Sequence, residues 1–260
     1  MRRLRIVLLA VCLSISACAD QGPWSPAAGG RLARNGLWRS VQTRCLTDGA
    51  PVHADCAVVD RGQGLVLYKD AVGASHYLVI PDHPVSGVED PKVWAGSRPN
   101  GWAFGWRERG IVSAAIGKPV PDTLIGLAVN AKAARSQDQL HIHLDCIGEA
   151  AHRFLVESDI DGQWRPFRLS GKSVRARFIA ADRQVLAFDP FDEVRHDVGA
   201  AGDIADRGVF VAYVSGPRDR SGFVIIDEPV DVAAGSNGHA SDFLDRGCRL
   251  GRSGPSGGGR

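Results

Sequence analysis

The sequence predicts an α+β protein built around an antiparallel sheet. Short apolar runs of strand length recur along the chain, two pairs of them flank glycine-containing turns, and helical segments lie between the pairs. The chain has 260 residues, of which 44% are hydrophobic and 23% are charged. That is enough apolar material for one large folded domain, and it excludes a chain that is disordered throughout.

The predicted elements begin with a hairpin. Residues 65–68 and 77–80 are apolar runs on either side of Gly73, the pattern of two antiparallel strands. Residues 89–116 mix apolar and charged residues, which indicates helix, and Pro-Asn-Gly at 99–101 predicts a break. Two later strands are predicted over residues 124–129 and 140–146, followed by a helix over residues 148–157. A second hairpin is predicted from residues 209–214 and 223–226, and a last helix over residues 241–246.

Residues 1–19 have the pattern of an export signal. Three arginines within the first five residues precede an apolar stretch over residues 6–16, which is too short for a comfortable membrane span. The end of this stretch fits a lipobox with an acylated Cys18, an ordinary cleavage site, or an uncleaved anchor. All three alternatives carry the body across the inner membrane. We therefore expect a membrane-associated envelope protein whose body faces the periplasm.

The remaining chain is expected to form one domain. Residues 20–36 are rich in Gly, Ala and Pro and are predicted to be a flexible tether, and residues 251–260 are predicted to be a disordered tail. The folded domain is predicted over residues 37–250. The net charge is +2, and it becomes −1 without the three N-terminal arginines, because 28 basic residues then stand against 29 acidic ones. This balance lacks the basic surface of a nucleic-acid-binding protein.

Four cysteines remain in the predicted domain. An even number of cysteines in an exported chain predicts two disulfides, for which three pairings are possible. Cys45 and Cys56 are eleven residues apart around a turn-forming Gly-Ala-Pro, which favours a local pair. This pairing leaves Cys146 and Cys248 to join the end of the domain to its middle.

The most informative segment is residues 139–146, where polar and apolar residues alternate strictly. In a strand this alternation turns the four apolar residues toward a core and places Gln139, His141, His143 and Asp145 on the other face, about 6.6 Å apart. Burying such a row without hydrogen-bond partners would cost roughly a few kcal/mol. We therefore expect the row to line a cleft.

Three interpretations of this row stay open on the residues alone. It could be an exposed polar strand face without a special role. His-x-His-x-Asp is also a partial metal-ligand set, although Cys146 stands where metallo-hydrolases with this motif carry a further histidine. The third interpretation is nucleophilic catalysis by a neutral imidazole, whose second ring nitrogen is held by a hydrogen-bond acceptor.

The segment also resembles a known motif. Residues 139–144, Gln-Leu-His-Ile-His-Leu, resemble the histidine triad of nucleotide hydrolases and transferases, the HIT-like superfamily. Within that superfamily the chain is most similar to the CDP-diacylglycerol pyrophosphatase family, whose features it shares at residues 67–70, 117–122, 127–130 and 135–137. The resemblance implies a HIT-like catalytic domain. It also implies hydrolysis of CDP-diacylglycerol to CMP and phosphatidate through a nucleotidyl-histidine, without a metal or other cofactor.

The resemblance assigns roles to single residues. His141 has the position of the middle, nucleophilic histidine and His143 that of the third, while Gln139 replaces the first histidine. Ser136 stands where the superfamily places a hydroxyl near the leaving group. Asn130 matches an asparagine that supports the motif strand in relatives, and it is also a candidate for binding the substrate.

Three further residues are candidates for binding the substrate. Arg135 and Gln137 lie in the loop before the motif strand, where their donors could gather around a diphosphate. Lys69, in the first hairpin, is the third candidate, although a lysine beside Asp70 is more often part of a surface ion pair. The expected partners are CDP-diacylglycerol and a membrane surface. The alternatives are a metal-dependent envelope hydrolase and a non-catalytic lipoprotein that binds nucleotide or lipid.

Overall fold

The computed structural model describes residues 34–47, 49, 51–94, 98–183, 185–199, 203–216 and 220–253. The predicted export signal, the tether up to residue 33 and the tail from residue 254 lie outside the described residues. Residues 251–253, assigned to the tail from the sequence, form the end of a helix. Within the described ranges, no helix combines the length and the apolar character needed to cross a membrane.

One large antiparallel sheet organises the described residues, which confirms the predicted α+β class. Its strands are β1 Cys56–Asp60, β2 Leu65–Lys69, β3 Tyr77–Pro81, β4 Ile125–Val129, β5 Ile142–Cys146, β6 Arg165–Leu169, β7 Lys172–Ala180, β8 Arg207–Gly216, β9 Arg220–Asp231 and β10 Ser236–Asn237. The strand order is β1-β2-β3-β5-β4-β8-β9-β7-β6, and β10 pairs with β9. The polar segment therefore ends in a central strand, β5. The HIT-like assignment within this class stays a prediction.

Helices pack on the sheet and connect its strands. They are α1 Gly36–Arg44, α2 Gly101–Arg107, α3 Gly110–Ile116, α4 Glu149–Glu157, α5 Pro190–Val198 and α6 Arg249–Ser253. Short 3-10 turns occupy Pro91–Trp94, Asp122–Leu124, Ile204–Asp206 and Ala240–Phe243. The predicted hairpins are confirmed as β2–β3 and β8–β9.

The region predicted as a broken helix is helical mainly after the break. Asn100 caps α2, because its side-chain oxygen accepts a hydrogen bond from the backbone N–H of Ala103 at 3.0 Å. Before the break the described residues contain only the 3-10 turn Pro91–Trp94. The helix prediction for this earlier part was wrong, since Asp90 directs its side chain to the backbone N–H of Ser86 and Lys92 and folds a turn.

The helix predicted over residues 241–246 was also wrong. The chain makes a 3-10 turn there and then runs back along the end of β5. Leu244 forms a bridge with Ile147, and the backbone N–H of Asp245 donates to the carbonyl of Cys146 at 2.7 Å. Because the backbone of this segment pairs with the end of β5, it does not form a helix there, and the α-helix begins only at Arg249.

Four of the described strands were not predicted, namely β1, β6, β7 and β10, and of these β6 and β7 have no clear apolar pattern. β6 lies at the sheet edge and is largely exposed. In β7 the buried Val174 and Ala176 alternate with Arg175 and Arg177, whose charges are paired with carboxylates of neighbouring elements. The exposed arginines of β6, rather than those of β7, are typical of an edge strand, where charge opposes pairing with other chains.

The polar segment of β5 lies at a gap between two apolar clusters on one face of the sheet. Residues directly opposite each other in an antiparallel pair share a face, and His143 is opposed by Leu78 and by Ala128. Leu78 belongs to the buried cluster under α1, and Ala128 belongs to the cluster that includes residues of α4. The gap between the two clusters leaves the histidines open to a cleft.

The opposite face of the sheet carries the largest apolar cluster. It contains the alternate residues of β5 together with Trp102 and Trp106 of α2. Helix α2 approaches the sheet closely at Gly105, where an added Cβ would lie 2.9 Å from the side chain of Leu127. The Cys146 side chain is fully buried in this cluster. The sequence prediction that the apolar half of the alternation faces a core is confirmed.

Both predicted disulfides are present. Cys45–Cys56 joins the residue after α1 to the start of β1, and Cys146–Cys248 joins the last residue of β5 to the segment before α6. The sequence separations are 11 and 102 residues. In the chain-entropy description a longer loop restricts the unfolded chain more, so the second bond is expected to stabilise the fold more.

We predict that replacing Cys146 and Cys248 together by Ala destabilises the protein by about 4–5 kcal/mol. Replacing Cys45 and Cys56 should cost only about 3 kcal/mol. The two double variants are matched controls for each other, because all four side chains are buried. Urea unfolding under non-reducing conditions measures both losses. Equal losses, or a larger loss for the Cys45–Cys56 variant, would contradict the loop-length argument.

Candidate active site

The four polar residues of the motif segment have different surroundings. All are buried, and the side chains of His141 and His143 line an open cleft of about 590 Å³. Gln139 and Asp145, at the two ends of the row, do not line this cleft. The expectation that the row faces a cleft is therefore confirmed for the two histidines. Their rings meet edge to face with 4.8 Å between centroids.

The tautomer of His141 follows from one backbone contact. Its Nδ1 lies 2.7 Å from the carbonyl oxygen of Gln139, two residues earlier. A carbonyl can only accept, so Nδ1 carries the hydrogen and Nε2 keeps its lone pair. Burial lowers the pKa of His141 below its ordinary value, and the charge of Arg246 acts in the same direction. The ring is therefore neutral near pH 7, with Nε2 available to the cleft.

His143 is held through both of its ring nitrogens. The backbone N–H of Ser241 donates to Oδ1 of Asn130 at 2.9 Å, and this bond orients the amide. Nδ2 of Asn130 is then turned toward Nε2 of His143 at 3.4 Å, and Nδ1 of His143 lies 2.9 Å from Nε2 of His76. Because Nε2 of His143 faces a donor, Nδ1 carries its hydrogen and donates to His76.

His76 completes this chain of hydrogen bonds and was missed in the sequence. Its Nε2 accepts from His143, so its Nδ1 is the donor, and the carbonyl of Val72 lies 3.2 Å away. The His76 and His143 rings are stacked, with 5.0 Å between centroids and 15° between planes. Burial lowers the pKa of His76 to about 4 and lowers that of His143 well below its ordinary value. Three neutral imidazoles thus come together: His143 from β5, His141 from the residue before β5, and His76 from the residue before β3.

The side chain of Gln139 makes its hydrogen bonds to a loop outside the cleft. Its amide nitrogen donates to the carbonyls of Pro81 and His83 at 3.4 and 3.1 Å, and its oxygen accepts from the backbone N–H of Val85 at 3.3 Å. The side chain therefore ties the loop after β3 to the start of the motif segment. Its backbone carbonyl, rather than its amide, faces His141.

Arg135 is engaged by carboxylates. Its guanidinium donates to both oxygens of Glu89, at 2.7 Å for Nη2, and to Asp138 at 3.1 Å. Asp138 in turn accepts two hydrogen bonds of 2.8 Å from Arg34. Arg135 is not among the residues that line the cleft. A direct phosphate contact would require it to leave Glu89, so the structure favours a role in positioning the loop.

Ser136, Gln137 and Lys69 do line the cleft. Ser136 is exposed there, and the side-chain oxygen of Gln137 accepts from the backbone N–H of Leu37 at 2.8 Å. Nζ of Lys69 donates to the carbonyls of Asp70 and Gly73 at 2.7 and 2.6 Å. The cleft has further lining residues that the sequence did not single out, among them Arg44, Asp55, Tyr68 and Arg246.

Asp145, at the far end of the row, is a buried carboxyl group. Its Oδ1 accepts from the hydroxyl of Ser75 at 2.6 Å and from the backbone N–H of Cys146 at 2.8 Å. Its Oδ2 is buried without a hydrogen-bond partner. Burial is the main cause that raises its pKa to about 6. Within the described residues, no group of three or more His, Cys, Asp or Glu side chains has an arrangement that could hold a metal ion.

We predict that Asp145→Asn stabilises the protein above pH 6, by up to about 3 kcal/mol. A carboxyl with a raised pKa keeps its proton in the folded state after the unfolded chain has lost it. The Asp145 carboxyl therefore lowers the free energy of unfolding as the pH rises from about 4 to about 6. Urea unfolding at pH 4.5 and pH 7.5 measures the difference between the variant and the unaltered protein.

Asp138→Asn is the matched control for this measurement. Arg34 lowers the pKa of Asp138 to about 2, so that carboxylate contributes stability that is present above about pH 4 and lost on acidification. Asp138→Asn should therefore lower the free energy of unfolding near neutral pH, whereas Asp145→Asn should raise it. An Asp145→Asn protein less stable than the unaltered one at pH 7.5 would contradict the assignment of a buried, unfavourable charge.

Comparison with known proteins supports the resemblance seen in the sequence. The CDP-diacylglycerol pyrophosphatase family matches residues 32–252. A probable CDP-diacylglycerol pyrophosphatase of Mycobacterium leprae (strain TN) is 28% identical over 261 residues, covering 96% of this chain and 95% of that protein. The CDP-diacylglycerol pyrophosphatase of Yersinia pestis is 35% identical over 136 residues, covering 50% of this chain and 52% of that protein. The family match spans most of the chain, including the histidine segment and its cleft, and the protein belongs to the CDP-diacylglycerol pyrophosphatase family.

Proposed function

We propose that this protein hydrolyses CDP-diacylglycerol to CMP and phosphatidate, with His141 as the nucleophile. The family membership supports the substrate and the reaction. The observation that supports the mechanism is the hydrogen bond from Nδ1 of His141 to the carbonyl of Gln139, which leaves Nε2 unprotonated beside an open cleft. A neutral imidazole held in this tautomer is suited to attack phosphorus.

In the first step Nε2 of His141 attacks the phosphorus on the cytidine side of the diphosphate. A nitrogen–phosphorus bond forms, and the bond from that phosphorus to the bridging oxygen breaks. Phosphatidate leaves with the bonding electron pair as a phosphate monoester. The imidazole of the resulting CMP–histidine carries a positive charge, which the Gln139 carbonyl stabilises through the Nδ1 hydrogen.

In the second step water attacks the same phosphorus and releases CMP. The nitrogen–phosphorus bond breaks with its electron pair returning to Nε2, and the proton from water passes to solvent. Because phosphatidate is already a weakly basic leaving group, the first step makes little demand on a general acid. This accounts for a glutamine in place of the first histidine of the motif.

The residues around His141 have supporting roles in this proposal. The hydroxyl of Ser136 and the amide of Gln137 line the cleft and are suited to donate to phosphoryl oxygens. Asn130 and His76 hold the ring of His143 from opposite sides, and His143 in turn packs against His141. Such fixed neighbours reduce the reorganisation that the reaction requires.

The decisive experiment incubates the purified protein with CDP-diacylglycerol in detergent micelles, with and without EDTA. We expect CMP and phosphatidate in both conditions. Loss of activity in EDTA would support the metal-dependent alternative, and absence of cleavage in both conditions would support a non-catalytic binding protein. Release of CDP and diacylglycerol would contradict attack at the cytidine-side phosphorus.

We predict that His141→Ala reduces turnover at least about 1,000-fold, since the nucleophile is lost. His143→Ala should reduce it by about 10- to 100-fold, because that ring supports the site without forming the bond. A phosphoramidate at residue 141, stable to alkali and labile to acid, should be trapped by rapid quenching. His196→Ala is the control, since this exposed histidine on α5 lies outside the cleft. Full activity in His141→Ala would show that another group is the nucleophile.

A further inference from the structure

Arg246 shares the cleft with the two motif histidines, although it is about a hundred residues away in sequence. It follows the 3-10 turn Ala240–Phe243 and is exposed at the cleft, which His141 and His143 line from the strand side. Its positive charge acts to lower the pKa of both histidines and of His76. The charge of Arg246 thus acts on every imidazole of the site, and at His76 and His141 the charge of Asp70 opposes it.

Among the residues that the structure describes, Arg246 has no hydrogen bond or ion pair from its side chain. The other cationic groups at the cleft are engaged by protein oxygens: Arg44 donates to Asp55 at 2.8 Å, and Lys69 donates to two backbone carbonyls. The adjacent carboxylate, Asp245, is occupied by Arg249 at 3.0 Å and by a backbone N–H. The carboxylates Asp55 and Asp70 also line the cleft, but neither forms an ion pair with Arg246. An arginine that faces a cleft without a paired carboxylate is suited to receive an anion.

The backbone of Arg246 is fixed relative to β5. The preceding residue, Asp245, donates its N–H to the carbonyl of Cys146 at 2.7 Å, and the disulfide Cys146–Cys248 closes two residues later. On the other side, an added Cβ at Gly73 would lie 3.0 Å from Cβ of Arg246, so the loop that leads to His76 packs directly against this residue. The cation is thus anchored at the end of the strand that presents the histidines.

We infer that Arg246 binds the diphosphate of the substrate as it lies against His141, an inference that rests on the proposed function. A guanidinium offers paired N–H donors that match two oxygens of a phosphate group. Contact at this position neutralises charge on the anion that the nucleophile must approach. The sequence offers no signal for this role, because residues 245–247, Asp-Arg-Gly, have the composition of an ordinary surface turn.

The test compares Arg246→Gln with Arg249→Gln, a matched loss of an exposed arginine three residues further along. Arg249 pairs with Asp245 and does not line the cleft. Isothermal titration calorimetry measures the binding of CDP and of cytidine, and steady-state kinetics measure KM for CDP-diacylglycerol. We expect Arg246→Gln to weaken CDP binding and raise KM by about 10- to 100-fold and to leave cytidine binding unchanged. Arg246→Lys should recover part of the loss, and Arg249→Gln should match the unaltered protein.

The outcomes separate this inference from the function on which it rests. If the unaltered protein cleaves CDP-diacylglycerol and Arg246→Gln binds CDP equally well, the role of Arg246 is overturned and the proposed function stands. An equal weakening of CDP and cytidine would also overturn it, because a phosphate contact is absent from cytidine. If the unaltered protein neither binds CDP nor cleaves the lipid, the inference and the proposed function fail together.

Discussion

The hydrogen bond between Nδ1 of His141 and the carbonyl of Gln139 is the interaction on which the chemistry of this site depends. It exists because His141 precedes the first paired residue of β5, so the carbonyl two residues earlier is available to the ring. The bond fixes the tautomer, and the tautomer decides which nitrogen is nucleophilic. The loop after β3 stabilises this arrangement through the side chain of Gln139 and through a bond of 2.6 Å from the N–H of Leu140 to the carbonyl of Val85.

The remaining imidazoles are arranged so that each is buried without a charge. A buried polar group is costly unless its donors and acceptors are matched, and a buried charge is more costly still. His143 meets this requirement with one donor and one acceptor on opposite sides of its ring, and His76 continues the pattern to the carbonyl of Val72. The positive charge of Arg246 adds to the desolvation that keeps the rings neutral. The positive charge of Arg246 and the uncharged imidazoles therefore both suit an anionic ligand.

The fold provides the space for this arrangement by covering one sheet face in two separate parts. The cluster under α1 and the cluster with α4 leave the middle of the sheet open at β5. The Cys45–Cys56 disulfide fixes the end of α1 to β1 on the face with the opening. The Cys146–Cys248 disulfide lies in the large cluster on the opposite face and fixes the segment with Arg246 to β5. The apolar side chains of β5 pack in the large cluster on the opposite face of the sheet, so the strand is rigid where it presents the histidines.

The sequence by itself determined the features that depend on local pattern. Alternation over residues 139–146 indicated which side chains share a face, the apolar runs indicated two hairpins, and the spacing of the cysteines indicated their pairing. The motif also indicated the family. Only the tertiary structure decided that His76 and Arg246 lie beside the motif histidines. It also decided that Arg135 forms an ion pair with Glu89 and that Gln139 holds a loop by hydrogen bonds. These contacts depend on the direct pairing of β3 with β5, although β4 lies between them in the sequence, and on the return of the C-terminal segment to the end of β5. Periodicity reports how a strand is oriented, whereas the identity of its neighbours is decided by packing between residues far apart in the chain.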